Sequence, residues 1–136
     1  MKNLEEIFKR YPVVSAYLFG SRSRNQGDVD SDYDFGIVLQ EKIHAPEMLN
    51  IRLNLLKELT RSLKKPVDII IMNSKNIPLS LKFRIIKEGK IVYIKDDLAR
   101  SRFETKILSL YLDRKYYYNR HIDVVLKNIA QRGLVV

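Results

Sequence analysis

Apolar positions recur along the chain with a changing period, and each change marks an element. Leu4, Ile7, Phe8 and Tyr11 lie at helical spacing and predict a helix over residues 3–11, closed by Pro12. Residues 13–19 are a dense run of β-branched and aromatic side chains, the pattern of a buried strand. Turn-forming residues over 25–31 then lead to a second strand over 33–39. Pro46 suits the first turn of a helix running to about residue 63, with Leu49, Leu53, Leu56, Leu59 and Leu63 as its expected apolar stripe. Residues 66–72 predict a third strand, apolar except for Asp68. Pro78 opens a short helix holding Leu81, Ile85 and Ile86, with Gly89 as the terminating residue. Residues 90–94 predict a fourth strand. Asp96 or Asp97 then caps a long last helix, where Phe103, Ile107, Tyr111, Tyr118, Ile122, Val125 and Ile129 recur at helical spacing.

This order implies an α/β (α+β) fold: a small mixed sheet of about four strands with helices packed on it and a long C-terminal helix. The 136 residues suit one domain over 1–136, with no internal repeat or low-complexity segment.

Composition narrows the chemistry. There is no Cys, which excludes disulfides and thiolate metal sites, and only two His, His44 and His121, which disfavours zinc. Any metal would be a hard, oxygen-liking ion. No apolar run reaches membrane-spanning length, and the N-terminal helix lacks the continuous apolar core of a signal peptide, so a soluble, cytoplasmic protein is expected. The formal net charge of +9 invites an anionic partner, whether nucleotide, nucleic acid or acidic protein. The basic residues are nevertheless spread along the helices as solvated faces, so charge alone leaves nucleic acid as the less favoured partner.

The stretch LFGSRSRNQGDVDSDYDFGIVL, residues 18–39, changes the picture most. Strand alternation puts Asp32 and Asp34 on one face, about 6–7 Å apart at the backbone, with Phe35, Ile37 and Leu39 facing the core. Two adjacent carboxylates repel unless a counter-charge sits between them, and a divalent cation supplies it. Asp68 interrupts an apolar strand where an unpaired carboxylate is costly. If strands two and three are neighbours, it reaches the same cluster, and three carboxylates make a fitting shell for Mg2+. Gly20 allows a backbone to approach a phosphate closely, and the Ser21 hydroxyl adds a donor. A helix starting over residues 21–24 would point free N–H groups at an anion, with Arg22 and Arg24 near enough to neutralise charge. Each part alone has a plainer reading: a D-x-D pair occurs in surface turns, Gly-Ser is a common turn, and a strand-end Asp can be satisfied by backbone N–H groups. The combination with this spacing is specific.

GSRSRNQGDVDSDYD resembles the signature of the DNA polymerase β-like nucleotidyltransferase superfamily. The small size resembles the minimal nucleotidyltransferases, including MntA-type antitoxins of HEPN/MNT toxin–antitoxin pairs. The resemblance covers roughly residues 13–94. It implies a polymerase β-like fold with a catalytic core over about 13–94 and a C-terminal helical segment over about 97–132. It also implies that Gly20 and Ser21 hold the nucleotide triphosphate and that Asp32, Asp34 and Asp68 hold two Mg2+ ions. Asn25 stands where many members carry Gly, and Gly27 where a small Ala is usual.

The same resemblance implies a reaction and a partner: AMP passes from ATP to a tyrosine of a HEPN ribonuclease toxin, with pyrophosphate released. The last helix, with its YLDRKYYYNRH run, is a natural docking surface, although its tyrosines suit core packing as well. An antitoxin that neutralises by binding alone, or nucleotidyl transfer to RNA or a small molecule, are the alternatives. Arg114 and His121 repeat a spacing that HEPN ribonucleases use for catalysis. The aromatic residue expected after the His is absent, and the predicted strands do not suit an all-helical domain.

Overall fold

The computed structural model describes residues 2–20 and 32–131. Among the described residues four helices and four strands follow in the order α1 (Lys2–Lys9), β1 (Val13–Phe19), β2 (Tyr33–Leu39), α2 (Ala45–Leu63), β3 (Val67–Ile71), α3 (Leu79–Glu88), β4 (Lys90–Ile94) and α4 (Asp97–Gln131). The strands form one mixed sheet in the order β3-β2-β1-β4. Strand β2 runs parallel to β3 and antiparallel to β1, and β1 runs antiparallel to β4. This is the mixed sheet and long last helix that the hydrophobic pattern implies.

Each face of the sheet has its own apolar layer. On one face Leu4, Ile7 and Phe8 of α1 and Ile51, Leu55 and Leu59 of α2 cover Phe35, Ile37, Leu39 and Ile69. The Phe8 ring meets Phe35 edge-on at 6.1 Å. On the other face Ile85 of α3 packs with Tyr17, Val38 and Met72, flanked by Phe103 of α4. A bulge between Val13 and Ser15 shifts β1 by one residue, which turns Val13 to the first layer and Val14 to the second. Gly36 leaves the room that α3 needs: a Cβ there would stand 2.9 Å from Ile85 Cγ2 and 3.1 Å from Met72 Sδ.

Two expectations need correction. The buried stripe of α2 is Ile51, Leu55 and Leu59, flanked by Met48, Leu56 and Leu63, whereas Leu49 and Leu53 are 54% and 50% exposed. Two leucine series at helical spacing overlap in this segment, and the sheet takes the one carrying Ile51. The stripe of α4 also divides. Phe103 packs against the second layer, Ile107 is buried and Tyr111 stacks on Phe83 at 4.0 Å, but Tyr118 and Val125 are exposed.

The caps follow local chemistry. Asp96 is the residue that caps α4, its carboxylate accepting the Ala99 N–H at 3.0 Å. Gly89 ends α3 with an ordinary φ of −71°, and its lack of a side chain answers a space constraint: a Cβ would lie 2.4 Å from Ile85 O. Lys64, at φ 56°, takes the left-handed position that ends α2. Among the described residues no helix is long and apolar enough to cross a membrane.

The phase of α2 is directly testable. Leu55→Ala should cost about 2–5 kcal/mol by leaving a cavity in the first layer, whereas Leu53→Ala should stay within about 0.5 kcal/mol. Urea unfolding of the two variants measures the difference.

Candidate functional site

Strand pairing brings three elements to one end of the sheet. Antiparallel register sets Phe19, at the end of β1, opposite Asp34 at the start of β2. Parallel register sets Asp34 beside Asp68 near the start of β3. Adjacent strands lie about 4.8 Å apart, and in-register neighbours share a face. The apolar partners show which face: Phe35 and Ile69 sit in the first layer, so Asp34 and Asp68 leave the backbone on the opposite side, with Asp68 on the edge strand β3, where Arg52 of α2 also reaches it. Asp32 is exposed just ahead of β2, at the mouth of the same edge.

Gly20 closes the group from the β1 side. Its φ of +81° suits glycine, and a Cβ there would lie 2.8 Å from Asp34 Oδ2. Backbone and carboxylate thus meet where a phosphate would need both a close backbone and a bound cation. Ser21, Arg22 and Arg24 lie outside the described residues, as does the expected helix start over residues 21–24.

The electrostatics of Asp34 reflect its position. Burial raises its pKa above the usual carboxylate value, and the charges of Asp68 and then Asp32 push it further the same way. This is the repulsion expected of carboxylates that share an edge without a cation. The donor set is all oxygen, which fits Mg2+. Among the described residues no group of three or more His, Cys, Asp or Glu side chains is gathered so that it could hold a metal ion. Asp68 shows where its carboxylate is held instead: Oδ1 accepts the Ile69 N–H at 3.0 Å and stands 3.6 Å from Arg52 Nη2.

Arg52 is a site residue that the hydrophobic pattern did not single out. It comes from α2, next to Ile51, and its Nε donates to Ile69 O at 2.8 Å. The guanidinium is thereby fixed against β3 beside Asp68. The available signal was a basic residue between Met48 and Leu55, on the inward side of the helix. His44 and His121 stand apart from this edge. His44 precedes α2 and makes no side-chain cap, and His121 stacks on Tyr117 at 6.2 Å, one helix face from Arg114.

The raised Asp34 carboxyl has a stability signature. Its contribution is fully present below the ordinary carboxylate range, near pH 4, and is lost as pH rises through the raised value. In EDTA, Asp34→Asn should therefore gain thermal stability relative to wild type as pH climbs from about 4 to 7. A melting-temperature difference that stays flat over that range would remove the repulsion argument.

The geometry has counterparts among known proteins. The family model "Polymerase beta, Nucleotidyltransferase" matches residues 2–98. A chain of a toxin–antitoxin assembly crystallised with AMP-PNP superposes with a TM-score of 0.70 at 20% identity, over 92% of this chain and 97% of that one. A chain of the tri-AMPylated Shewanella oneidensis HEPN toxin in complex with MNT antitoxin gives a TM-score of 0.64 at 19% identity, over 92% and 94%. A chain of the MntA–HepT toxin–antitoxin complex gives 0.64 at 18%, over 92% and 95%. At these identities the likeness is one of fold. No curated protein sequence matches the chain. With a family model that spans all four strands and the aspartate edge, the chain belongs to the polymerase beta nucleotidyltransferase family.

Proposed function

We propose that this chain is a Mg2+-dependent adenylyltransferase that moves AMP from ATP to a tyrosine of a HEPN-type partner protein and so acts as a cytoplasmic antitoxin. The observation that carries this reading is the in-register pair Asp34 and Asp68 on adjacent parallel strands, with Gly20 against Asp34. Asp32 completes a D-x-D edge at the mouth. Two structural neighbours support the nucleotide and the acceptor, since one was solved with AMP-PNP and another contains a tri-AMPylated HEPN toxin.

Asp32, Asp34 and Asp68 would hold two Mg2+ ions, which when bound stabilise charge on the triphosphate and on the attacking oxygen. The chain's own residues do the rest. The backbone at Gly20 receives the triphosphate, with Ser21, Arg22 and Arg24 as its further anion contacts. The tyrosine oxygen attacks the α-phosphorus in line, so one O–P bond forms as the bond to pyrophosphate breaks. On this reading Asp68 takes the phenolic proton, and Arg52, 3.6 Å from its carboxylate, is the positioning residue.

A binding-only antitoxin is the reading favoured by a different observation, the exposed apolar second half of α4. One experiment separates the two. With α-labelled ATP, Mg2+ and the product of the neighbouring reading frame, the wild type should label a tyrosine of the partner, and EDTA should abolish labelling. Asp32→Asn and Asp34→Asn should each lower the rate by about two orders of magnitude or more. Labelling at the normal rate in those variants would overturn the aspartate assignment. Neutralisation of the partner with no label at all would favour binding alone, and label on RNA or a small molecule would move the acceptor class.

A further inference from the structure

The opposite end of the sheet carries the opposite charge. A cavity of about 1240 Å³ opens beyond the ends of β2 and β3, between α3 and α4. Asp34, near the start of β2, and Gln40, just past its end, stand six residues apart, roughly 20 Å, and none of Gly20, Asp32, Asp34 or Asp68 lines this cavity. Its floor includes Val14, Met72 and Phe103 from the second apolar layer. Its walls carry Lys75, Lys82, Lys95, Arg102, Lys106 and Arg114.

Those six cations make no ion pair among the described residues. The acids nearby are largely committed. Asp96 caps α4, and Asp97 pairs with Arg100 at 2.8 Å, which leaves Glu41. Lys82 and Lys106 face each other, and burial followed by the Lys106 charge pushes the Lys82 ammonium below its usual range. Two ammonium groups this close, with no carboxylate paired to either among the described residues, are stabilised by an anion that arrives from outside.

The shape selects among anions. A second cavity, of about 760 Å³, shares Pro78, Leu79 and Arg114 with the first and runs on to Tyr117 and Tyr118. Those tyrosines are 73% and 64% exposed, and Leu110, on the wall between, is 44% exposed. The result is a long groove with an apolar floor, a basic wall and an aromatic exit. A nucleic-acid strand calls for ring platforms along its charged track, whereas here the basic part holds one ring, Phe103, packed against the second layer, and the exposed tyrosines stand beyond it at the exit. A free phosphate would leave the apolar floor uncovered. A chain segment with acidic and apolar side chains on one face satisfies both the wall and the floor.

We propose that the groove between α3 and α4 docks an acidic, apolar segment of a protein partner, with its carboxylates between Lys82 and Lys106 and its apolar side chains on Phe103 and Leu110. The groove is separate from the aspartate edge, so this docking stands whether or not the chain transfers AMP.

The test uses the whole chain and a fluorescein-labelled amphipathic peptide of glutamate and leucine, followed by fluorescence polarisation at low and moderate salt. An oligoglutamate and an oligouridylate of equal charge are the comparison probes. The peptide should bind, weaken with salt, and bind more tightly than either comparison probe. Lys82→Glu/Lys106→Glu should weaken it by about tenfold or more, with the unfolding midpoint and Mg-ATP binding unchanged. Lys106→Glu alone, on the exposed side of α4, should show a smaller loss in the same direction. No binding of the peptide, an affinity unmoved by charge reversal, or tighter binding of oligouridylate would each overturn the proposal.

Discussion

The parallel pairing of β2 with β3 is the constraint on which the rest depends. Its register puts Asp34 beside Asp68, and it holds two like charges at a separation they would not choose. What enforces it is apolar. Phe35 and Ile37 on β2 and Ile69 and Ile71 on β3 go into one layer under α2, and a slip of one residue would turn every one of them out. Each of these side chains contributes on the order of 1.5–3 kcal/mol when buried, and together they outweigh a single carboxylate repulsion at a partly solvated edge. The core therefore sets the charge geometry, and the carboxylate edge is its consequence.

Gly20 and Gly36 make the same point on the other face. At Gly20 a side chain would meet Asp34, and at Gly36 it would meet Ile85 and Met72. One absence brings the backbone of β1 against a carboxylate. The other lets α3 settle on the centre of β2. Between them, Asp34 stands at the rim of a closely packed layer, which is why burial is the first cause of its raised pKa.

Much of this was legible from residue pattern because the strands are short, dense and bounded by turn residues. β1, β2 and β4 have the predicted bounds, with Asp34 inside β2 and Asp32 just ahead of it. Helix phase was less legible. In α2, leucines fall on both the inner and outer sides, so spacing alone cannot say that Ile51 and Leu55 go in while Leu49 and Leu53 stay out. Arg52 was hidden for a related reason: an arginine on an inward face looks like a break in the stripe until β3 is seen beneath it. The basic groove was hidden most completely. Its cations come from a loop after β3, from α3, from the turn after β4 and from α4, and only the fold gathers them.

Helix α4 joins the two halves of the molecule's charge pattern. Its first turns complete the second apolar layer through Phe103 and are tied down by Asp97, Arg100 and Glu104. Beyond Tyr111 the same helix carries Tyr116, Tyr117, Tyr118, Val124, Val125 and Leu126 into solvent, all at least 41% exposed. Isolated helices of this kind draw little stability from propensity alone, because most helical stability in proteins comes from packing an apolar face. A helix packed at one end and bare at the other is therefore half supported by its own chain. The basic groove opens where support ends, at Leu110 and Arg114, so a partner segment that enters it would extend the packing along the bare half. The aspartate edge lies at the far end of the same sheet. The aspartates do not line the groove, so on the proposed reading a partner held there would not cover them.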